Sequence, residues 1–154
     1  MLTSLNIHNF SLIEHLEIEF LSGTSAISGK TGAGKSLILD ALAITLGARA
    51  DTDALGLNKG HSEISASFDI TKINRAASWL REEQFTSDND CVLRRVFNEG
   101  KRTRGYINGR ACTMQQLQKL SSFLIDIHSQ HEHQSLMRQD NYRFLLDDLS
   151  LIHI

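Results

Sequence analysis

Gly29-Lys-Thr-Gly-Ala-Gly-Lys-Ser36 carries the clearest chemistry in the chain, because it satisfies the spacing G-x-x-x-x-G-K-[ST]. Successive backbone N–H groups can wrap a phosphate chain only where the main chain turns tightly without Cβ atoms in the way. Gly29, Gly32 and Gly34 supply those turns. The ammonium of Lys35 is placed to reach the β- and γ-phosphates of a nucleotide, and the hydroxyl of Ser36 to ligate Mg²⁺. A helix starting here adds unsatisfied amides and the positive end of its dipole to the same anion. The candidate phosphate-binding set is therefore Gly29, Lys30, Thr31, Gly32, Ala33, Gly34, Lys35 and Ser36. A random chain of 154 residues contains this pattern roughly 0.5% of the time, so coincidence is a poor explanation.

The elements that must position the loop follow from periodicity. Leu2, Leu5, Ile7 and Phe10 fall in one short segment and His15–Phe20 alternates polar with apolar, which predicts a pair of strands ahead of the loop. Thr24–Ser28 is expected as a short strand running into the loop, and Leu37–Leu46 as a buried helix stopped by Gly47. Residues 47–61 read as a loop. Glu63–Ile70 alternates as a strand, Asn74–Gln84 reads as an amphipathic helix, and Cys91–Phe97 and Arg104–Asn108 read as strands flanking a charged turn. Thr113–Phe123 is expected as a helix capped by Thr113, Leu124–His128 as an apolar strand, and Asn141–Leu149 as the beginning of a further helix. The fold class is α/β.

Composition bounds what such a loop can serve. The chain is 41% hydrophobic and 22% charged with a net charge of −2, which suits a soluble globular domain and neither requires nor excludes nucleic acid as a partner. No apolar run approaches the ~20 residues that span a bilayer, and the first residues lack the basic and apolar regions of a signal peptide. Cys91 and Cys112 are too few for a disulfide framework and read as reduced thiols in a cytosolic protein.

About 28 residues precede the loop, more than the first strand of a compact kinase requires. Leu5-x-Ile-x-Asn-Phe10, Leu16-Glu-Ile-Glu-Phe20 and the loop together resemble the first lobe of an ABC-type head of the SMC class, a P-loop NTPase with a mixed sheet and antiparallel N-terminal strands. The resemblance narrows to the bacterial RecN-type DNA repair ATPases. It is carried by Asn9–Glu14, Gly32–Ser36, Leu46–Asp51, Glu63–Phe68, Arg104–Arg110 and Asp126–Gln134, in unbroken order. Two positions depart from that family: Lys30 stands where glutamate is expected and Ser129 where glycine is expected.

This resemblance implies ATP and Mg²⁺ as cofactors, recombinational repair of DNA double-strand breaks as the function, and a cytoplasmic, nucleoid-associated location without membrane contact. It further implies DNA as a partner and a homodimer formed by head engagement. Lys35 and Gln130 are the implied catalytic residues, with Ser36 and Gln130 on Mg²⁺ and Gln134 as the alternative glutamine. Arg49 falls where such heads carry an arginine near nucleotide or DNA, and reads equally as a surface arginine after a helix end. The chain shows no serine-glycine signature and no strand ending in Asp-Glu, so residues 1–148 are expected to be an incomplete lobe that binds ATP and hydrolyses little of it. Residues 149–154 match one translated frame of a transposon-end sequencing adapter and are expected to be a non-native tail.

Three further patterns compete with this reading. Phe123-Leu-Ile-Asp126 resembles an apolar strand whose aspartate holds Mg²⁺; on that alternative the chain is a self-contained small P-loop kinase or NTPase using Asp126. His128, His131 and His133 have a spacing that invites a metal, yet they sit among Ser, Gln and Glu and read better as a polar loop. Arg94, Arg95, Lys101, Arg102, Arg104 and Arg110 form a cationic band that could meet DNA phosphates or simply be a solvated hairpin edge. The second reading is preferred.

Overall fold

Alternation at period two makes the first strands, β1 (Leu2–Phe10) and β2 (Ile13–Glu19), an antiparallel hairpin in which Leu5 faces Ile18 and Ile7 faces Leu16. The computed structural model describes residues 1–30, 34–49, 61–85, 89–98, 103–125 and 127. After the hairpin come α1 (Lys35–Thr45), β3 (His61–Asp69), α2 (Asn74–Glu82), β4 (Asp90–Asn98), β5 (Arg104–Ile107), β6 (Arg110–Cys112) and α3 (Met114–Leu124). The six strands form one sheet in the order β2-β1-β3-β4-β5-β6, and every described pairing is antiparallel.

Register places the apolar half of each strand on one face. Leu5, Ile7, Ile64, Ala66, Phe68, Cys91, Leu93, Phe97 and Ile107 are buried there, against the inner sides of the helices. The opposite face carries Asn6, His8, Glu63, Ser65, Arg94 and Tyr106. α1 packs on β1, β3 and β4, and α3 on β5 and α2. α3 opens with a capping box: the Thr113 hydroxyl accepts from the Gln116 amide at 3.2 Å, and the Thr113 amide donates to Gln116 Oε1 at 3.0 Å.

Several sequence expectations change. Thr24–Ser28 forms no strand; Thr24–Lys30 is exposed and joins no ladder. Its residues are small and polar except Ile27, itself 49% exposed, so the segment has little apolar surface to bury against the sheet. The antiparallel N-terminal strands expected of the sheet are present, and the pairings among the described strands are antiparallel throughout. α1 is half-buried rather than enclosed, since Ser36, Leu39 and Asp40 face outward while Ala41, Leu42, Ile44 and Thr45 are buried. Leu124 ends α3 instead of starting a strand, and Ile125 is extended beyond it. β6 was not foreseen. Asn108 and Gly109, with φ of 48° and 79°, make the two-residue turn that joins it to β5. The loop at 50–60, the charged turn at 99–102, the histidine run and the helix expected at Asn141–Leu149 lie outside the described residues.

Both thiols are free, and burial pushes Cys91 up to about 12 and Cys112 up to about 11 from 9.0. A folded-state value above the unfolded one means that the neutral thiols stabilise the fold below pH 9. That contribution fades as pH climbs toward 11 and 12. Urea midpoints measured from pH 8 to 11 are expected to fall, and to fall less in a Cys91→Ala chain. A flat profile in both would count against the burial of Cys91.

No described helix is long and apolar enough to cross a membrane.

Candidate functional site

The phosphate-loop residues that are described converge on the start of α1. Gly34 precedes the helix with φ 82° and ψ 3°, a left-handed conformation that residues with a Cβ seldom adopt. Space is not the constraint there, because a Cβ built on Gly34 would meet nothing within 4 Å. Among the described residues no side chain caps α1, and its first turn holds no acidic residue. Its leading amides are therefore offered to an external acceptor, at the positive end of the helix dipole. Lys35 curls back across the loop and donates from Nζ to the carbonyl oxygens of Gly29 and Lys30, the second at 2.8 Å. An ammonium has three protons, so a group that bonds two carbonyls can in principle also donate to an anion. Ser36 is exposed one residue further along.

This arrangement fits a phosphate group. A left-handed glycine, an uncapped helix start and an ammonium folded toward the same spot would each lose their purpose if the ligand were cationic or apolar. Thr31, Gly32 and Ala33, together with Asp126, Gln130, Gln134, His128, His131 and His133, lie outside the described residues. Among the described residues, no group of three or more His, Cys, Asp or Glu could hold a metal ion.

The far end of α1 is tied down by side chains that the loop motif does not include. Arg95 is only 2% exposed. Its Nη1 donates to the carbonyls of Ile44 at 3.0 Å and Ala48 at 3.5 Å, and its Nη2 to Thr103 Oγ1 at 3.0 Å. Burial lowers the Arg95 guanidinium from its usual value, while the nearby Cys112 opposes that shift. Gln118 of α3 donates from Nε2 to the carbonyl of Gly47 at 2.8 Å. Gly47 itself has φ 102°, and a Cβ there would come within 2.6 Å of Gln118 Cγ. A Gly47→Val chain is expected to lose about 2–4 kcal/mol through backbone strain and the lost hydrogen bond, read as a lower urea midpoint. An unchanged midpoint would show that α1 and α3 meet otherwise.

The cationic band does not survive as one surface. Arg94 and Arg95 point to opposite faces of β4. Arg94 pairs with Glu63 at 3.3 Å and lies over the Tyr106 ring, whereas Arg95 is interior. Arg110 donates to the Gln84 carbonyl. Arg104 and Arg49 are exposed, and Lys101 and Arg102 lie outside the described residues. The signal for Arg95 was present in the sequence, since it occupies the third of four alternating positions, Cys91, Leu93, Arg95 and Phe97, that make the buried face of β4.

Residues 4–150 match the family model described as an AAA domain. The chain is 42% identical over 147 residues to the DNA repair protein RecN of Xylella fastidiosa, 36% to that of Vibrio cholerae over the same length, and 32% over 148 residues to that of Bacillus subtilis. Each alignment covers 96% of this chain and 26% of the relative, so the chain spans about a quarter of the length of these curated relatives. The RecN-type resemblance read from the motifs is borne out. Among solved structures, the Smc head domain with an extended coiled coil from Pyrococcus furiosus superposes with a TM-score of 0.71 at 21% identity, over 97% of this chain and 41% of that one. RecF in its ATP complex superposes at 0.55 with 13% identity, over 73% of this chain and 27% of that one. At these identities the structures show the fold, that of the SMC-type ATPase head.

Proposed function

Because this chain belongs to the AAA domain family, whose members bind nucleotide, we propose that the loop Gly29–Ser36 and the start of α1 hold the triphosphate of ATP with Mg²⁺. We place the nucleotide-binding first lobe of a RecN-like ATPase at residues 1–148 and assign residues 149–154 no role. The observation that carries the reading is the ammonium of Lys35, folded onto the Gly29 and Lys30 carbonyls in front of an uncapped helix.

In this reading the amides of the loop, Thr31, Gly32 and Ala33 included, wrap the phosphates. Lys35 carries the charge that the β- and γ-phosphates demand, and Lys30 adds a second cation at the rim. Ser36 and Gln130 would hold Mg²⁺, with Gln134 as the alternative glutamine; the ion supplies charge neutralisation on the phosphate oxygens. Phosphoryl transfer rests on positioning and charge stabilisation, and the catalytic carboxylate and signature residues are not in this sequence. The chain therefore binds ATP far better than it turns it over. The DNA-repair role, DNA as partner and pairing of heads between two copies are proposed from the names of the relatives, DNA repair protein RecN, and from the head fold.

The relatives and structures above are RecN proteins and SMC-type or RecF heads, which does not favour a self-contained kinase or NTPase using Asp126. The test is a titration of the purified chain with ATP and Mg²⁺, followed by melting temperature and by phosphate release. A rise in melting temperature with negligible release is expected. No rise would overturn nucleotide binding, and brisk release would overturn the half-site reading in favour of Asp126.

A further inference from the structure

α1 is anchored more firmly at its C-terminal end, since only Ile38 of its first half packs against the core. Its buried residues, Ala41, Leu42, Ile44 and Thr45, all belong to the C-terminal half, while Ser36, Leu39 and Asp40 near its start face outward. An α-helix is a stiff rod, and the eleven residues of α1 span about 16 Å. A tilt of about 5° about the anchored end moves the start of such a rod by more than about 1 Å. Misplacement by about 1 Å costs up to about 100-fold in rate at a reacting centre, and a phosphate held by short charge-assisted bonds is sensitive to the same displacement.

The anchor is built around a buried cation. Arg95, from the middle of β4, reaches the last carbonyls of α1 and its C-terminal extension, at Ile44 and Ala48, and spans to Thr103 at the entrance of β5. The Ile44 carbonyl lies at the negative end of the helix dipole and accepts both from Arg95 and from the Gly47 amide at 3.0 Å, while Ala48 follows in the extension. The planar fork of a guanidinium can bond two directions at once, which an ammonium cannot do with the same geometry. Resting on the nucleotide reading above, we propose that Arg95 is a positioning residue. By clamping the C-terminal end of α1 to β4 and β5, it sets where Lys35 and Ser36 stand at the other end, and so sets nucleotide affinity without touching the nucleotide.

The test compares the full chain with Arg95→Lys, which keeps the charge and loses the fork, and with Leu80→Val, which loosens the α2 core away from α1. ATP affinity is measured by calorimetric titration well below every melting temperature. Hydrogen exchange is followed at the amides of Ser36–Ile38 and of the β1 and β3 ladders. Arg95→Lys is expected to bind ATP about tenfold more weakly or worse, with faster exchange at Ser36–Ile38 and unchanged protection in β1 and β3. Leu80→Val is expected to melt lower yet bind as the parent chain does. The proposal is overturned if Arg95→Lys binds within about twofold of the parent, or if Leu80→Val weakens binding to the same degree.

Should Arg95→Lys fail to fold, Thr103→Val removes one partner of the guanidinium and leaves Arg95 in place. Weaker ATP binding by that chain supports the clamp, and parental affinity overturns it. If the parent chain itself binds no ATP, the nucleotide reading fails separately. The exchange measurement, which needs no ligand, still decides whether Arg95 holds the start of α1.

Discussion

An Lys35→Ala chain melts at the parental temperature without ligand and gains almost nothing when ATP is added. The parent, at an ATP concentration one hundred times its Kd, is stabilised by about 2.7 kcal/mol. For a domain of this size that is a rise of about 5–10 °C. Lys35 contributes little to the unliganded fold, because its two carbonyl partners are exposed loop groups. A surface substitution of that kind changes stability by about 0.5 kcal/mol or less. Against a triphosphate the same ammonium is expected to reach the β- and γ-phosphates, and a charge-assisted bond is about twice as strong as a neutral one. Losing it is expected to weaken ATP binding about 100-fold or more, equivalent to about 2.7 kcal/mol, which leaves about 0.4 kcal/mol or less of the ligand-induced stabilisation. Differential scanning fluorimetry of both chains against an ATP series measures this directly. Equal shifts would remove Lys35 from the site and take the nucleotide assignment with it.

The second large effect concerns the sheet. Phe68 is fully buried in β3, opposite Leu2 of β1 and Cys91 of β4, at the centre of the strand order. Truncating it leaves a cavity roofed by strands on both sides, which cannot close around the gap by moving one loop. A Phe68→Ala chain is expected to lose about 3–5 kcal/mol and to melt about 6–20 °C lower. Leu12→Ala, at a position 72% exposed in the β1–β2 turn, should melt as the parent does. Urea denaturation of the two chains separates the cases; a small loss at Phe68 would mean that β3 is not the central strand.

Much of this architecture was written in local patterns. The alternation in residues 63–70 and 91–97 located β3 and β4 to within two residues at each end, and Thr113 announced the start of α3. Gly47 stopped α1 as expected, with its positive φ. What was not legible depended on partners far along the chain. Thr24–Ser28 has strand-like composition, yet a strand exists only where another backbone pairs with it, and no described strand does. β6 was missed although Asn108-Gly109 is the dipeptide that a tight hairpin turn demands. At the candidate site, residue type and spacing alone single out the loop, and the structure describes Gly29, Lys30, Gly34, Lys35 and Ser36 of it. Arg95 was misread as part of a surface band because its charge was given more weight than its place on the apolar face of β4.

The strand order has a consequence for how the chain comes to be active. β1 lies between β2, its immediate successor, and β3, which ends about fifty residues after β2 does. At a ribosome's pace of 5–20 residues per second, the first hairpin waits roughly 3–10 s for the strand that completes its other edge. α1 sits inside that interval and docks only on β1, β3 and β4 together. The start of α1, where the candidate phosphate site lies, therefore gains its supports only once the chain has been made through residue 98, and nucleotide binding is expected to follow that point rather than precede it.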